Sequence, residues 1–110
     1  MSEVLDITLT RTAVRDLDEI LDYVAAERGV DRALQLYEEI RKVIASLATM
    51  PHRCRHVPEL HEIGLFEYRE FIERPYRLVF RIVDREVVIL AILDSRRDLE
   101  ELLIQRAIEG

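Results

Sequence analysis

Residues 87–93 read Val-Val-Ile-Leu-Ala-Ile-Leu, an unbroken apolar run in a chain whose residues are 35% charged. Such a run, with Asp84-Arg85 before it and Asp94 after it, suits a central strand buried on both faces. A chain that owns such a strand must surround it with others, and the flanking sequence supplies them. Tyr76, Leu78, Phe80 and Ile82 alternate on one face of a strand over 76–83. Asp84-Arg85 is then a tight connection into the apolar run. Residues 65–72 predict a further strand, interrupted from the next by Pro75. Leu5, Ile7 and Leu9 alternate with Asp6 and Thr8, which predicts a half-buried strand at the start.

Helical spacing fills the rest. Ala13, Leu17, Ile20, Leu21 and Val24 share one helical face behind Thr12, a candidate N-cap, and Gly29 supplies the stop. Asp31 can cap a second helix with the face Leu34, Tyr37, Ile40, Ile44 and Leu47, which Pro51 forbids from continuing. Residues 51–64, polar and holding two prolines and Gly64, read as a long loop. Residues 97–108 return to helical spacing through Leu99, Leu102, Leu103 and Ala107. The order is β-α-α-β-β-β-α: an α+β fold with a helical hairpin packed on a small, mostly antiparallel sheet.

Size and charge narrow the function classes. The 110 residues are the size of one domain, expected to span 1–110. No apolar run approaches the roughly 20 residues of a membrane helix. The start, Met1-Ser2-Glu3-Val4, lacks the basic and apolar regions of a signal peptide. Cys54 is the only cysteine, which excludes an internal disulfide and fits a cytoplasmic location. The net charge of −6 argues against a protein that grips nucleic acid over its whole surface. The charge is uneven, however: residues 1–50 carry 6 basic and 10 acidic side chains, whereas residues 51–98 carry 9 of each. An arginine-bearing face can therefore exist on an acidic protein. Of the 16 basic residues all but Lys42 are arginine.

The ordered set of Asp16-Leu17 through Ile20 and Tyr23, Leu47 with Pro51, Arg69-Glu70, Pro75 through Ile82, Val88-Ile89-Leu90 and Ser95-Arg96-Arg97-Asp98 resembles the RelE/ParE superfamily of small bacterial toxins. The resemblance covers most of the chain. It implies a toxin of a type II toxin–antitoxin system, neutralised by a cognate antitoxin that lies across helices and sheet, where Leu36, Val43 or nearby exposed apolar residues would serve the contact. One departure is Asp94, where similar members often carry histidine.

The superfamily divides into RelE-like members, which cut ribosome-bound messenger RNA, and ParE-like members, which inhibit DNA gyrase without chemistry of their own. Cleavage by a 2′-oxygen needs a proton acceptor, a proton donor and positive charge on the phosphate. RelE-like members place lysines on the strand matching 66–72 and a tyrosine in the last helix. Here 66–72 has no lysine and two carboxylates, and 97–108 has no tyrosine. Arginine stabilises charge but is a poor base. The resemblance therefore leans to gyrase inhibition. A ribosome-dependent endonuclease using Arg77 and Arg97 is the alternative, and a non-toxic antitoxin-binding module a second one.

Arg77 and Arg81 lie four apart on one strand and share a face, about 13 Å from each other. With Arg69, Arg96 and Arg97 they form a candidate surface for target or antitoxin, provided that face is open. The opposing reading pairs them with Glu67, Glu70, Glu73 and Glu86 as a solvated face. His52, Cys54, His56 and His61 fall within ten residues, but their spacing matches no standard zinc motif, so neither metal nor cofactor is expected. Arg53, in the same segment, reads as a mobile loop side chain.

Overall fold

The computed structural model describes residues 4–109; Met1–Glu3, which entered the reading of the N-terminus, and Gly110 lie outside them. Five strands form one sheet in the order β1-β5-β4-β3-β2. They are β1 (Asp6–Leu9), β2 (Arg55–His56), β3 (Tyr68–Glu73), β4 (Tyr76–Val83) and β5 (Glu86–Asp94). Every pairing is antiparallel except β1 with β5. The apolar run is the sheet's interior strand, with Val87, Ile89, Leu90, Ala91, Ile92 and Leu93 all buried.

The helices are α1 (Arg11–Arg28), α2 (Val30–Ser46), α3 (Pro58–His61) and α4 (Glu100–Glu109). The hairpin of α1 and α2 covers one sheet face, where Ile40 and Leu47 pack with Leu78, Phe80, Ile89 and Ile92. The opposite face is covered as well. Val57, Leu60, Leu99 and Leu103 pack there on Tyr68, Val79, Leu90 and Leu93. The sheet is thus the middle of three layers, as a strand apolar on both faces demands.

A β-bulge serves both layers. The β4–β5 register passes from Val79↔Ala91 to Phe80↔Ile89, so Leu90 is the extra residue. Leu90 and Ala91 consequently join the same core, between Ile89 and Ile92 in the other. The displaced backbone finds side-chain partners. The Ile92 N–H donates to Asp16 Oδ2 at 3.1 Å, and the Leu90 carbonyl accepts from Arg106 Nη1 at 3.0 Å. Arg106 also grips Asp16 with two bonds of 2.8 Å, fastening α4 to α1.

Several local expectations are corrected. The N-cap of α1 is Thr10, whose hydroxyl accepts from the Ala13 N–H at 3.2 Å, and not Thr12. Gly29, at φ 95°, both ends α1 and precedes α2, so Asp31 sits in the first turn of α2 and does not cap it. The buried stripe of α2 is Ala33, Leu36, Ile40 and Val43, while Leu34 and Tyr37 face outward. The strand expected over 65–72 begins at Tyr68 because the Leu65 N–H turns back to the Leu60 carbonyl. Residues 51–64 are not a plain loop: they form a 3-10 turn (Pro51–Arg53), β2 and α3, and bury Val57 and Leu60. We call 51–67 the strap. Among the described residues no helix is long and apolar enough to cross a membrane.

Candidate functional site

Strand alternation places Arg77 opposite Tyr76, Leu78 and Phe80, as its position predicts, but the face it occupies is closed. Arg77 is 7% exposed. Its Nε donates to Glu70 Oε1 at 2.6 Å, and Nη1 and Nη2 donate to the two oxygens of Glu59 at 2.7 Å each. Glu70, 1% exposed, also accepts from Arg55 Nε at 2.6 Å. These bonds hold the Arg77 guanidinium strongly protonated, and the same fork holds the Glu59 carboxyl below the usual carboxylate range. The expected pairing of Arg77 with Glu70 is present, in a buried cluster instead of a solvated face. Glu59, from the segment read as a loop, is the partner that strand patterning missed.

Arg69 is spent on the strap too. Its Nη1 donates to the carbonyls of Cys54 at 2.7 Å and His52 at 3.3 Å. Arg81 is half-buried, in register with Tyr68 and Val88. The two remaining candidates, Arg96 and Arg97, are exposed. They line a groove of about 460 Å³ between α1 and the β5–α4 connection, together with Glu19, Tyr23, Tyr76 and Asp94. Arg96 donates twice from Nε to the Asp94 carboxylate, at 2.9 and 3.2 Å, which holds that carboxyl low. Burial, then the Asp94 charge, pushes the Tyr76 phenol up. The five arginines therefore split: Arg69 and Arg77 bind the chain's own strap, Arg81 is half-buried on β4, and Arg96 and Arg97 face a groove that none of the other three lines.

The histidine segment makes ring contacts. His56 and His61 lie 5.4 Å apart, and His61 meets Phe66 edge-on at 4.8 Å. Cys54 is half-buried, and burial raises its thiol pKa. Among the described residues no three His, Cys, Asp or Glu side chains gather as a metal site would require.

The hairpin carries several exposed apolar side chains, one of which lines the groove. Tyr23, which lines it, is 65% exposed, and Val30, Leu34 and Tyr37 follow one another along α2 at 65%, 59% and 40%. Leu36 and Val43, the expected antitoxin contacts, are instead in the core at 4% and 8%.

The family model described as the ParE toxin of type II toxin–antitoxin systems, parDE, matches residues 7–99. Toxin ParE3 of Caulobacter vibrioides is 33% identical over 90 residues, 82% of this chain and 86% of that protein. Among solved structures, the chromosomal ParDE toxin–antitoxin system of P. aeruginosa contains a chain with a TM-score of 0.69 and 26% identity, the match covering 83% of this chain and 96% of that one. The RelBE2 toxin–antitoxin complex of Mycobacterium tuberculosis shares the fold, at a TM-score of 0.59, 22% identity and 84% and 92% coverage. With the fold, the strand order and the arginine-bearing segments in place, the chain belongs to the ParE toxin family of type II toxin–antitoxin systems.

Proposed function

We propose that this toxin arrests growth by inhibiting DNA gyrase and does not itself cleave RNA. The carrying observation is the occupied fork of Arg77. An endonuclease of the RelE type would present that arginine to a phosphate, and here both fork nitrogens hold Glu59 at 2.7 Å. The absence of lysine from 66–72 and of tyrosine from 97–108 points the same way. Arg96 and Arg97, exposed on the groove, are the charged side chains offered to the target. The antitoxin, in this reading, covers Tyr23, Val30, Leu34 and Tyr37 on the outer side of the hairpin. Val30, Leu34 and Tyr37, at four- and three-residue steps on α2, have the spacing of a helix-borne docking ridge, and Tyr23 of α1 adjoins the groove.

The test is direct. Expression of the chain alone should stop bacterial growth, and coexpression of its antitoxin should restore it. Purified toxin should block gyrase supercoiling or trap cleaved DNA, with ribosome-bound messenger RNA left intact. Codon-specific cuts in that RNA, with gyrase unaffected, would reverse the target assignment. Unimpaired growth with soluble protein present would leave only antitoxin binding.

A further inference from the structure

The strap is tied to the sheet by side chains as much as by backbone. Its ladder to β3 has two register pairs, Arg55↔Glu70 and His56↔Arg69, followed by the Val57 N–H donating to the Tyr68 carbonyl. Around that short ladder runs one continuous chain of charges: Arg55 to Glu70, Glu70 to Arg77, Arg77 to Glu59. It leaves the strap at β2, crosses β3 and β4, and returns to the strap at α3.

Glu59 is the end of that chain, and its helix has little of its own to hold it. α3 has four residues and no side-chain cap, far below the length at which a helix is stable by itself. It packs against α4, with Leu60 and Leu103 in the same buried cluster. Arg106 and the Tyr68 hydroxyl, which donates to the Ala107 carbonyl at 3.1 Å, hold only the far end of α4. At the near end Leu103, in the first turn of α4, shares the buried cluster with Val57 and Leu60 of the strap and with the sheet beneath them.

The ion pair is asymmetric. The Arg77 side chain is 8% exposed and that of Glu59 is 28%. When the pair parts, Glu59 moves out to water, and Arg77 keeps Glu70. No buried charge is left alone, which is the usual penalty for breaking such a pair. The two cores share no buried residue, because the sheet separates them.

We propose that the Arg77–Glu59 ion pair is a latch coupling α3 to the first turn of α4, so that strap and helix open as one unit while the hairpin core stays closed. Opening uncovers the apolar sheet face under Val57, Leu60, Leu99 and Leu103, a surface the latched form hides. The latch is a second conformational state of the fold, independent of which target the toxin inhibits.

Amide hydrogen exchange on the full chain reads this residue by residue. Glu59→Gln keeps the shape of the side chain and removes its charge. It should speed exchange roughly tenfold or more at Leu60 and His61, whose N–H groups donate to the Val57 carbonyl, and equally at Leu103, which donates to that of Leu99. Ile40 and Val43 in α2 should not change, and Glu62→Gln, at an exposed position beside α3, should be silent. Should the Glu59 variant fail to fold, the unsubstituted chain carries the test. Raising salt from about 0.01 M to about 1 M screens the half-open ion pair and should speed the same amides and spare α2. Acceleration in α3 without Leu103, equal acceleration throughout, or no acceleration in either experiment overturns the latch.

Discussion

Arg77 shows how far a single residue can be read from sequence. Alternation with Tyr76, Leu78 and Phe80 correctly turned it away from the hairpin core. What lay above it came from Val57, Leu60 and Glu59, in a segment whose apolar residues follow no helical or strand period. The clue was elsewhere: the run from Val87 to Leu93 called for cover on both sheet faces, so an open arginine face was already in conflict with it. Arg77→Ala should therefore act on folding before it acts on any target. Leaving Glu70 buried with only the exposed Arg55 to pair it, and Glu59 with no fork, should cost up to about 3–5 kcal/mol in denaturant titration, while Arg96→Ala should stay within about 0.5 kcal/mol and lose growth arrest while folded. A folded Arg77 variant with an unchanged denaturation midpoint would show that the charge cluster contributes nothing. The same cluster sets an acid limit. The bonds from Arg77 lower the Glu59 pKa in the fold, so its contribution is complete above the ordinary glutamate value of about 4.3 and fades as pH falls through the lower folded value. Stability of wild type minus that of Glu59→Gln, followed from pH 7 downward, should hold level and then shrink below about 4.3. A difference that instead grew on acidification would contradict the assignment.

Elements were legible in kind and less so in phase. Both long helices, β1, β4, β5 and the last helix follow from periodicity, and Gly29 marks the turn of the hairpin where a positive φ is needed. The face of α2 did not follow. Ile40 and Leu47 belong to two overlapping stripes, one through Leu34 and Tyr37 and one through Ala33, Leu36 and Val43. Both keep three- and four-residue steps, and their unshared members lie one residue apart, a rotation of about 100°. The small Ala33 faces the core, and the larger Leu34 and Tyr37 remain outside. This sorts the two stripes by experiment. Leu36→Ala should cost about 2–5 kcal/mol of stability. Leu34→Ala with Tyr37→Ala should leave the melting temperature nearly unchanged and weaken antitoxin binding at least tenfold, about 1.4 kcal/mol. Antitoxin affinity equal to that of the wild type would remove the α2 ridge from the interface.

The whole molecule is a sheet clothed on both sides, by the hairpin on one and by strap and α4 on the other. The second layer, polar in sequence, holds residues as deeply buried as the first: Leu60 and Leu103 are 1% exposed and Val57 is 0%. Leu60→Ala should then destabilise by about 2–5 kcal/mol, measured by urea unfolding alongside Leu36→Ala. A loss within about 0.5 kcal/mol would mark the strap as surface.

The parallel pairing of β1 with β5 joins Asp6 to Glu86 and Leu9 to Ile89. The first strand thus waits for the last before it has a partner, and until then the sheet on which the hairpin lies lacks its interior strand. Such non-local closure is slow compared with helix formation. During synthesis, which adds roughly 5–20 residues each second, the growing chain can wind α1 and α2 but cannot assemble either core. The groove bearing Arg96 and Arg97 comes into being only after β5 is laid down. On the proposal that these two arginines meet the target, a chain still in synthesis lacks that contact until the segment after β5 has been made, and an antitoxin present beforehand meets the toxin as the contact first forms.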